Sequence, residues 1–140
     1  MSKILRIDHL AILVEDLDAS LDFWQEALEM KVSHVEEVSA EEARIAFLPA
    51  GGSEIELVQP TSLDSGLRRY LDKRGAGMHH ICLEVDDLES MLSRLTARKV
   101  QLINQTPRLS QDGKKYAFIH PKSAGGVLVE LYELPKSNQG

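Results

Sequence analysis

Ile7-Asp8-His9-Leu10-Ala11-Ile12-Leu13-Val14-Glu15-Asp16-Leu17 is matched without a gap by Met78-His79-His80-Ile81-Cys82-Leu83-Glu84-Val85-Asp86-Asp87-Leu88. His9 falls on His80, Asp16 on Asp87 and Leu17 on Leu88, at an offset of 71 residues. A second pair of segments, Glu54-Ile55-Glu56-Leu57-Val58 and Leu128-Val129-Glu130-Leu131-Tyr132, recurs at an offset of 74. The small difference between the offsets fits a longer loop in the second half. Self-similarity at a fixed spacing decides an architecture before any single element does. The chain is a duplicated unit.

Local patterning gives each unit the same order of elements. Leu10, Ile12 and Val14 alternate with His9, Ala11 and Leu13, the period of two expected of a strand. Asp16 is placed to cap a helix in which Leu17, Leu21, Trp24 and Leu28 recur at spacings of three and four. Asp87 caps the equivalent stripe of Leu88, Met91, Leu92 and Leu95. These stripes are core faces. Residues 30–38, 43–48 and 54–59 read as strands, separated by turn-forming segments at 39–42 and 49–53. Their expected counterparts are 100–103, 115–119 and 126–133. Residues 65–74 read as a short linking helix closed by Gly75-Ala76-Gly77. The reading is one α+β domain over 1–140, βαβββ twice, with repeat 1 over about 4–60, a linker over about 63–75 and repeat 2 over about 77–134.

Composition narrows the class. With 140 residues, 43% of them hydrophobic, the chain has enough apolar content for one packed domain. A net charge of −6 argues against nucleic acid as a partner, so an anionic ligand would need a local basic patch. The single cysteine, Cys82, excludes a disulfide framework and a thiolate zinc site. No apolar stretch approaches the roughly 20 residues that span a bilayer. The N-terminus runs straight into a strand rather than into a signal peptide, so a cytoplasmic location is expected.

Strand parity points to chemistry. His9 and His80 lie opposite in parity to Leu10, Ile12 and Val14 and to Ile81, Leu83 and Val85. Glu56 and Glu130 likewise lie opposite to Ile55 and Leu57 and to Val129 and Leu131. If the apolar sets are buried by the amphipathic helices, the two His and two Glu face the concave side. Imidazole nitrogen and carboxylate oxygen together suit one divalent ion, with Co, Zn, Ni, Mn and Fe all compatible. A lone strand His or Glu is ordinarily surface or hydrogen-bonded, and recurrence at equivalent places is what lifts these four. His79 sits on the other parity and reads as a packing or supporting group, and His34 as surface. His120 ends a strand in Ile119-His120-Pro121-Lys122 and is a candidate for lining the ligand cleft.

The duplicated unit with His and Glu on these strands resembles the vicinal oxygen chelate superfamily, and more closely its methylmalonyl-CoA epimerases. The likeness covers nearly the whole chain. It is carried by the segments at 7–11, 56–60, 77–81, 85–87 and 99–103, and by Phe118-Ile119-His120-Pro121-Lys122-Ser123-Ala124-Gly125-Gly126-Val127-Leu128-Val129-Glu130-Leu131. The resemblance implies a glyoxalase-like fold with a concave metal cleft, ligands His9, His80 and Glu130, and Glu56 at the fourth ligand position. It implies R/S interconversion at C2 of methylmalonyl-CoA through a metal-stabilised enolate, an acyl-CoA as the partner molecule, and a homodimer. Glu130 and Glu56 are then the symmetric candidates for proton transfer. Lys114, Lys115 and Lys122 flank the late strands and are candidates for the CoA phosphates.

Two departures stand out. Some epimerases carry a Glu on the strand preceding that of Glu56, whereas Ile45 stands at that place here. The loop Ser110-Gln111-Asp112-Gly113-Lys114-Lys115 is more charged than the glycine-rich form expected. Two other readings use the same scaffold. One is a glyoxalase I-like lactoylglutathione lyase, with the same ligand types. The other is a small-molecule-binding protein without catalysis, which has no need of the four donors together.

Overall fold

The computed structural model describes residues 2–136. The chain divides into two compact units, one running from His9 to His79, the other made of the N-terminal residues up to Asp8 and the chain from His80 onward. Among the described residues no helix is long and apolar enough to cross a membrane.

The first repeat contains β1 (Ile4–Leu13), α1 (Leu17–Leu21), β2 (His34–Val38), β3 (Ala43–Ala50) and β4 (Ser53–Pro60). After the linking helix α2 (Gly66–Arg74), the second contains β5 (Gly77–Val85), α3 (Leu88–Ala97), β6 (Arg108–Leu109), β7 (Lys115–Ile119) and β8 (Leu128–Glu133). This is βαβββ twice, an α+β architecture. The strand order is β2-β3-β4-β1 in the first and β5-β8-β7-β6 in the second. In each repeat the first strand runs parallel to the last and the last runs antiparallel to the one before it.

Equivalent capping devices start the two covering helices. The Asp16 carboxylate accepts from the Ala19 N–H at 3.2 Å, and Asp87 from the Ser90 N–H at 3.1 Å. A further backbone donor of each first turn, left without a helical partner, is met from the last strand of the repeat. Gln59 Oε1 accepts from the Leu17 N–H at 2.7 Å, and Glu133 Oε1 from the Leu88 N–H at 2.8 Å. Helix N-termini leave backbone N–H groups unsatisfied, so these side chains bolt helix to sheet. Leu17 and Leu88 then sit fully buried.

The α3 face of the second repeat is one core of Val85, Leu88, Met91, Leu92, Leu102, Ala117, Ile119 and Leu131. The first repeat buries both faces of its strands. Val14, Leu17, Ala46, Leu48 and Leu57 pack on the α1 side, joined by Ile12, Leu21 and Trp24. Ala11, Leu13, Ala43, Ile45 and Val58 pack on the other side with Leu71 of α2. The face that carries His9 is therefore apolar at its α2 end, a departure from the amphipathic strand expected there.

Four elements differ from the sequence reading. The first helix is α-helical only to Leu21 and continues as a π-helical turn over Asp22–Ala27, with the Leu28 N–H bonded to the Phe23 carbonyl. The wider turn rotates the stripe, which leaves Leu28 half exposed while Met30 packs on the core. The strand expected over 30–38 begins only at His34. The strand expected over 100–103 is a single bridge, Leu102 with Ile119. Asn104 Oδ1 accepts the Phe118 N–H at 2.8 Å, so a side chain takes the donor a continuing ladder would use. β8 starts at Leu128 rather than 126, because Gly125 and Gly126 turn the chain at φ of 66° and 97°.

Candidate metal and proton-transfer site

Each repeat assembles one imidazole–carboxylate pair at the same register. In the parallel pairing of β1 and β4, His9 lies opposite Glu54, which places it diagonally across from Glu56. In that of β5 and β8, His80 lies opposite Leu128, diagonally across from Glu130. Diagonal neighbours two residues apart share a face because side chains alternate. His9 Nδ1 lies 3.3 Å from Glu56 Oε2, with the side chains 12% and 15% exposed. His80 Nε2 lies 3.4 Å from Glu130 Oε1, with the side chains 16% and 19% exposed. Both pairs thus keep access to a ligand while losing most of their water.

Each His–Glu pair offers donors suited to a divalent ion. Two ligands bonded to one ion at about 2.0–2.2 Å stand roughly 3.0–3.5 Å apart in octahedral or tetrahedral geometry. Each His–Glu pair has that spacing. Nitrogen with hard oxygen is the combination that accepts borderline first-row ions.

An aromatic ring accompanies each carboxylate, and sequence reasoning missed both. In the antiparallel pairing of β3 with β4, Phe47 stands directly opposite Glu56. In that of β7 with β8, Phe118 stands directly opposite Glu130. The rings are themselves repeat mates, Phe118 lying at the same offset from Phe47 as His80 from His9. Phe118 meets the His80 ring edge-on at 6.2 Å and Tyr116 likewise at 6.2 Å. Phe47 is stacked by His34, with ring centroids 4.3 Å apart and an interplanar angle of 13°. His34 is exposed, as read from sequence, and its ring packs on Phe47.

The remaining candidates have distinct surroundings. His79 packs edge-on against Tyr70 at 4.7 Å, in the packing role expected of it. Ile45 is buried in the α2-side core and lies opposite Val58, so that position offers no acid. His120 Nδ1 accepts from the Lys122 N–H at 3.0 Å and caps the short turn Pro121–Ala124. Lys122 lies exposed in that turn. Lys115 shares its strand parity with Ala117 and Ile119 and reaches Glu89 at 3.4 Å, on the α3 side. Lys114 stands over the Tyr132 ring at 5.3 Å, and Tyr132 shares its parity with Glu130.

Behind Glu130 lies a polar cluster without a counterpart in the first repeat. The Tyr132 hydroxyl donates to Asp8 at 2.8 Å and to Glu84 at 3.3 Å. Arg6 donates to Asp8 at 2.8 Å and reaches Glu84 and the Tyr132 oxygen at 3.5 Å. Burial, and then the hydrogen bond to Asp8, push the Tyr132 phenol well above its usual range. The corresponding pair in repeat 1 is Leu13 and Val58, both apolar.

A family profile described as the Glyoxalase/Bleomycin resistance protein/Dioxygenase superfamily matches residues 8–118. The mitochondrial methylmalonyl-CoA epimerase of Mus musculus is 35% identical over 92% of this chain and 73% of its own length. The ethylmalonyl-CoA/methylmalonyl-CoA epimerase of Cereibacter sphaeroides is 31% identical over 92% of this chain and 98% of its own. Among solved structures, the methylmalonyl-CoA epimerase of Mycobacterium tuberculosis superposes with a TM-score of 0.80 at 36% identity, covering 95% of this chain and 90% of that one.

Proposed function

The chain belongs to the glyoxalase/bleomycin resistance protein/dioxygenase superfamily and is an isomerase of its epimerase type, and we propose that it interconverts the R and S forms of methylmalonyl-CoA at C2. The observation that carries this reading is the His–Glu pair set at the same register in both repeats. We further propose that His9, Glu56, His80 and Glu130 serve one divalent ion of the Co, Zn, Ni, Mn or Fe group. Held by these residues, such an ion would supply Lewis-acid stabilisation of the negative charge that develops next to C2.

The chain's own groups move the proton. The hydrogen on C2 is acidified by the adjacent thioester, and epimerisation removes it from one face and returns one to the other. That requires an acceptor on one face and a donor on the other, each within hydrogen-bond reach. Glu130 and Glu56, one per repeat, are the paired carboxylates for this task, and the buried Ile45 leaves no competitor on β3. His80 and His9, each against one carboxylate, hold its orientation at 3.4 and 3.3 Å. Lys114, ordered over Tyr132, meets an anionic part of the acyl-CoA, and exposed Lys122 beside His120 meets another. Lys115, paired with Glu89 on the α3 side, contributes little to that binding.

The reading is tested by supplying a single epimer of methylmalonyl-CoA and following the decay of its optical signal. Decay to the value of the equilibrated epimer mixture at a rate proportional to enzyme is expected. Decay at the buffer rate with fully folded, metal-loaded protein contradicts it.

A further inference from the structure

We propose that the phenylalanine beside each proton-transfer carboxylate, Phe118 in the second repeat and Phe47 in the first, presents an apolar surface to the C2 alkyl group of the substrate and so limits the size of acyl group accepted; the inference rests on the epimerase reading. Both rings stand directly across the strand from a proposed proton-transfer carboxylate, Phe118 from Glu130 and Phe47 from Glu56. Directly opposed residues of an antiparallel pair have Cβ atoms about 4.5–5.5 Å apart on the same face. A group handed to either carboxylate is therefore brought against the neighbouring ring. C2 of a 2-alkylmalonyl thioester bears two polar arms, a hydrogen and one apolar alkyl group. The polar arms and the hydrogen have partners in the donor atoms and carboxylates of the site. The alkyl group has none among these, and the rings are the apolar surface beside them.

The rings are held in place. Phe47 is clamped flat by His34 at 4.3 Å, and Phe118 is braced edge-on by His80 and Tyr116. Both side chains remain partly exposed on the donor face, whereas the adjacent β-strand residues Ala46, Leu48, Ala117 and Ile119 are buried in the helix-side cores. Phe47 also packs against the α2-side core, so Phe118 is the ring whose place beside its carboxylate carries the inference furthest. A braced ring is a rigid steric limit, and a limit of this kind discriminates one methylene by about 10–200-fold.

The test compares kcat/KM for methylmalonyl-CoA and ethylmalonyl-CoA in the wild type, Phe118→Ala, Phe118→Leu and Phe47→Leu. The leucine variants keep an apolar core contact, so they report even where the alanine variant is unstable. The ethyl-to-methyl ratio is expected to rise about tenfold in Phe118→Leu, and further in Phe118→Ala, with bound metal unchanged. A merely structural role would lower both substrates together and leave the ratio alone. Ratios within twofold of wild type in both leucine variants overturn the proposal. Wild-type protein inert toward both thioesters overturns the epimerase reading, and this inference with it.

Discussion

Replacing Tyr132 by Phe removes one buried oxygen and leaves the ring, so its effect isolates the polar cluster behind Glu130. Tyr132 is 5% exposed, and its hydroxyl donates to the Asp8 carboxylate at 2.8 Å. A hydrogen bond to a charged acceptor contributes about 1.5–3 kcal/mol. The lower end applies, because Asp8 keeps its 2.8 Å ion pair with Arg6 and is 27% exposed to water. A loss of about 1.5 kcal/mol, divided by roughly 2.1 cal/mol/K per residue over this chain, lowers Tm by about 5 °C. The pH dependence gives a second signature. The folded-state pKa of the phenol lies above the unfolded value near 10. Between the two, the unfolded chain has lost the proton that the folded chain keeps. Stability from this group is therefore complete below about pH 10 and falls as pH rises beyond it. Thermal melts from pH 7 to 11 should show the wild type losing its advantage over Tyr132→Phe above pH 10. A variant that melts with the wild type at pH 8, or a gap that widens at high pH, refutes the reasoning.

Glu133→Ala strands the buried Leu88 N–H and should cost about 1–3 kcal/mol in chemical denaturation, whereas Glu133→Gln retains an acceptor and should cost less. Equal losses in the two variants would show that packing, and not the helix tie, matters there. His9→Ala and His80→Ala should each abolish stoichiometric binding of a divalent ion by elemental analysis, and the metal-dependent rise in Tm should go with it. Full occupancy in the double variant contradicts the ligand set. Glu56→Gln keeps an amide oxygen for the ion, so it should lose epimerisation while still exchanging the C2 hydrogen of one epimer. Epimerisation at the wild-type rate would leave Glu56 as a ligand only.

The duplication was legible because it is written in side chains with strong local preferences. Asp16 and Asp87 cap helices as their positions predict, and the parity of His9, Glu56, His80 and Glu130 matches the pairing seen. What failed to show was tertiary. The π-helical turn after Leu21 has no residue signal in the leucine stripe, because Leu28 fits the α spacing and is displaced only by the wider turn. Leu102 is apolar enough to suggest a strand, yet the Asn104 side chain competes for the backbone donor that a ladder would need. Gln59 and Glu133 are repeat mates whose role depends on a helix start that is distant in sequence. Phe47 and Phe118 do recur in the sequence at the offset of the two histidines, but aromatics on strands are so readily explained as core that the recurrence alone does not assign them to a site.

In the proposed reaction one carboxylate from each repeat exchanges protons with opposite faces of C2 in the presence of a divalent ion. Deuterium incorporation at C2 of methylmalonyl-CoA in heavy water tests it most directly, measured before and after exhaustive chelation and again after restoring the ion. Label is expected to enter both epimers at a rate proportional to enzyme, with loss of that exchange on chelation and recovery with metal. Undiminished exchange by metal-free protein, or exchange confined to one epimer in the wild type, would contradict it.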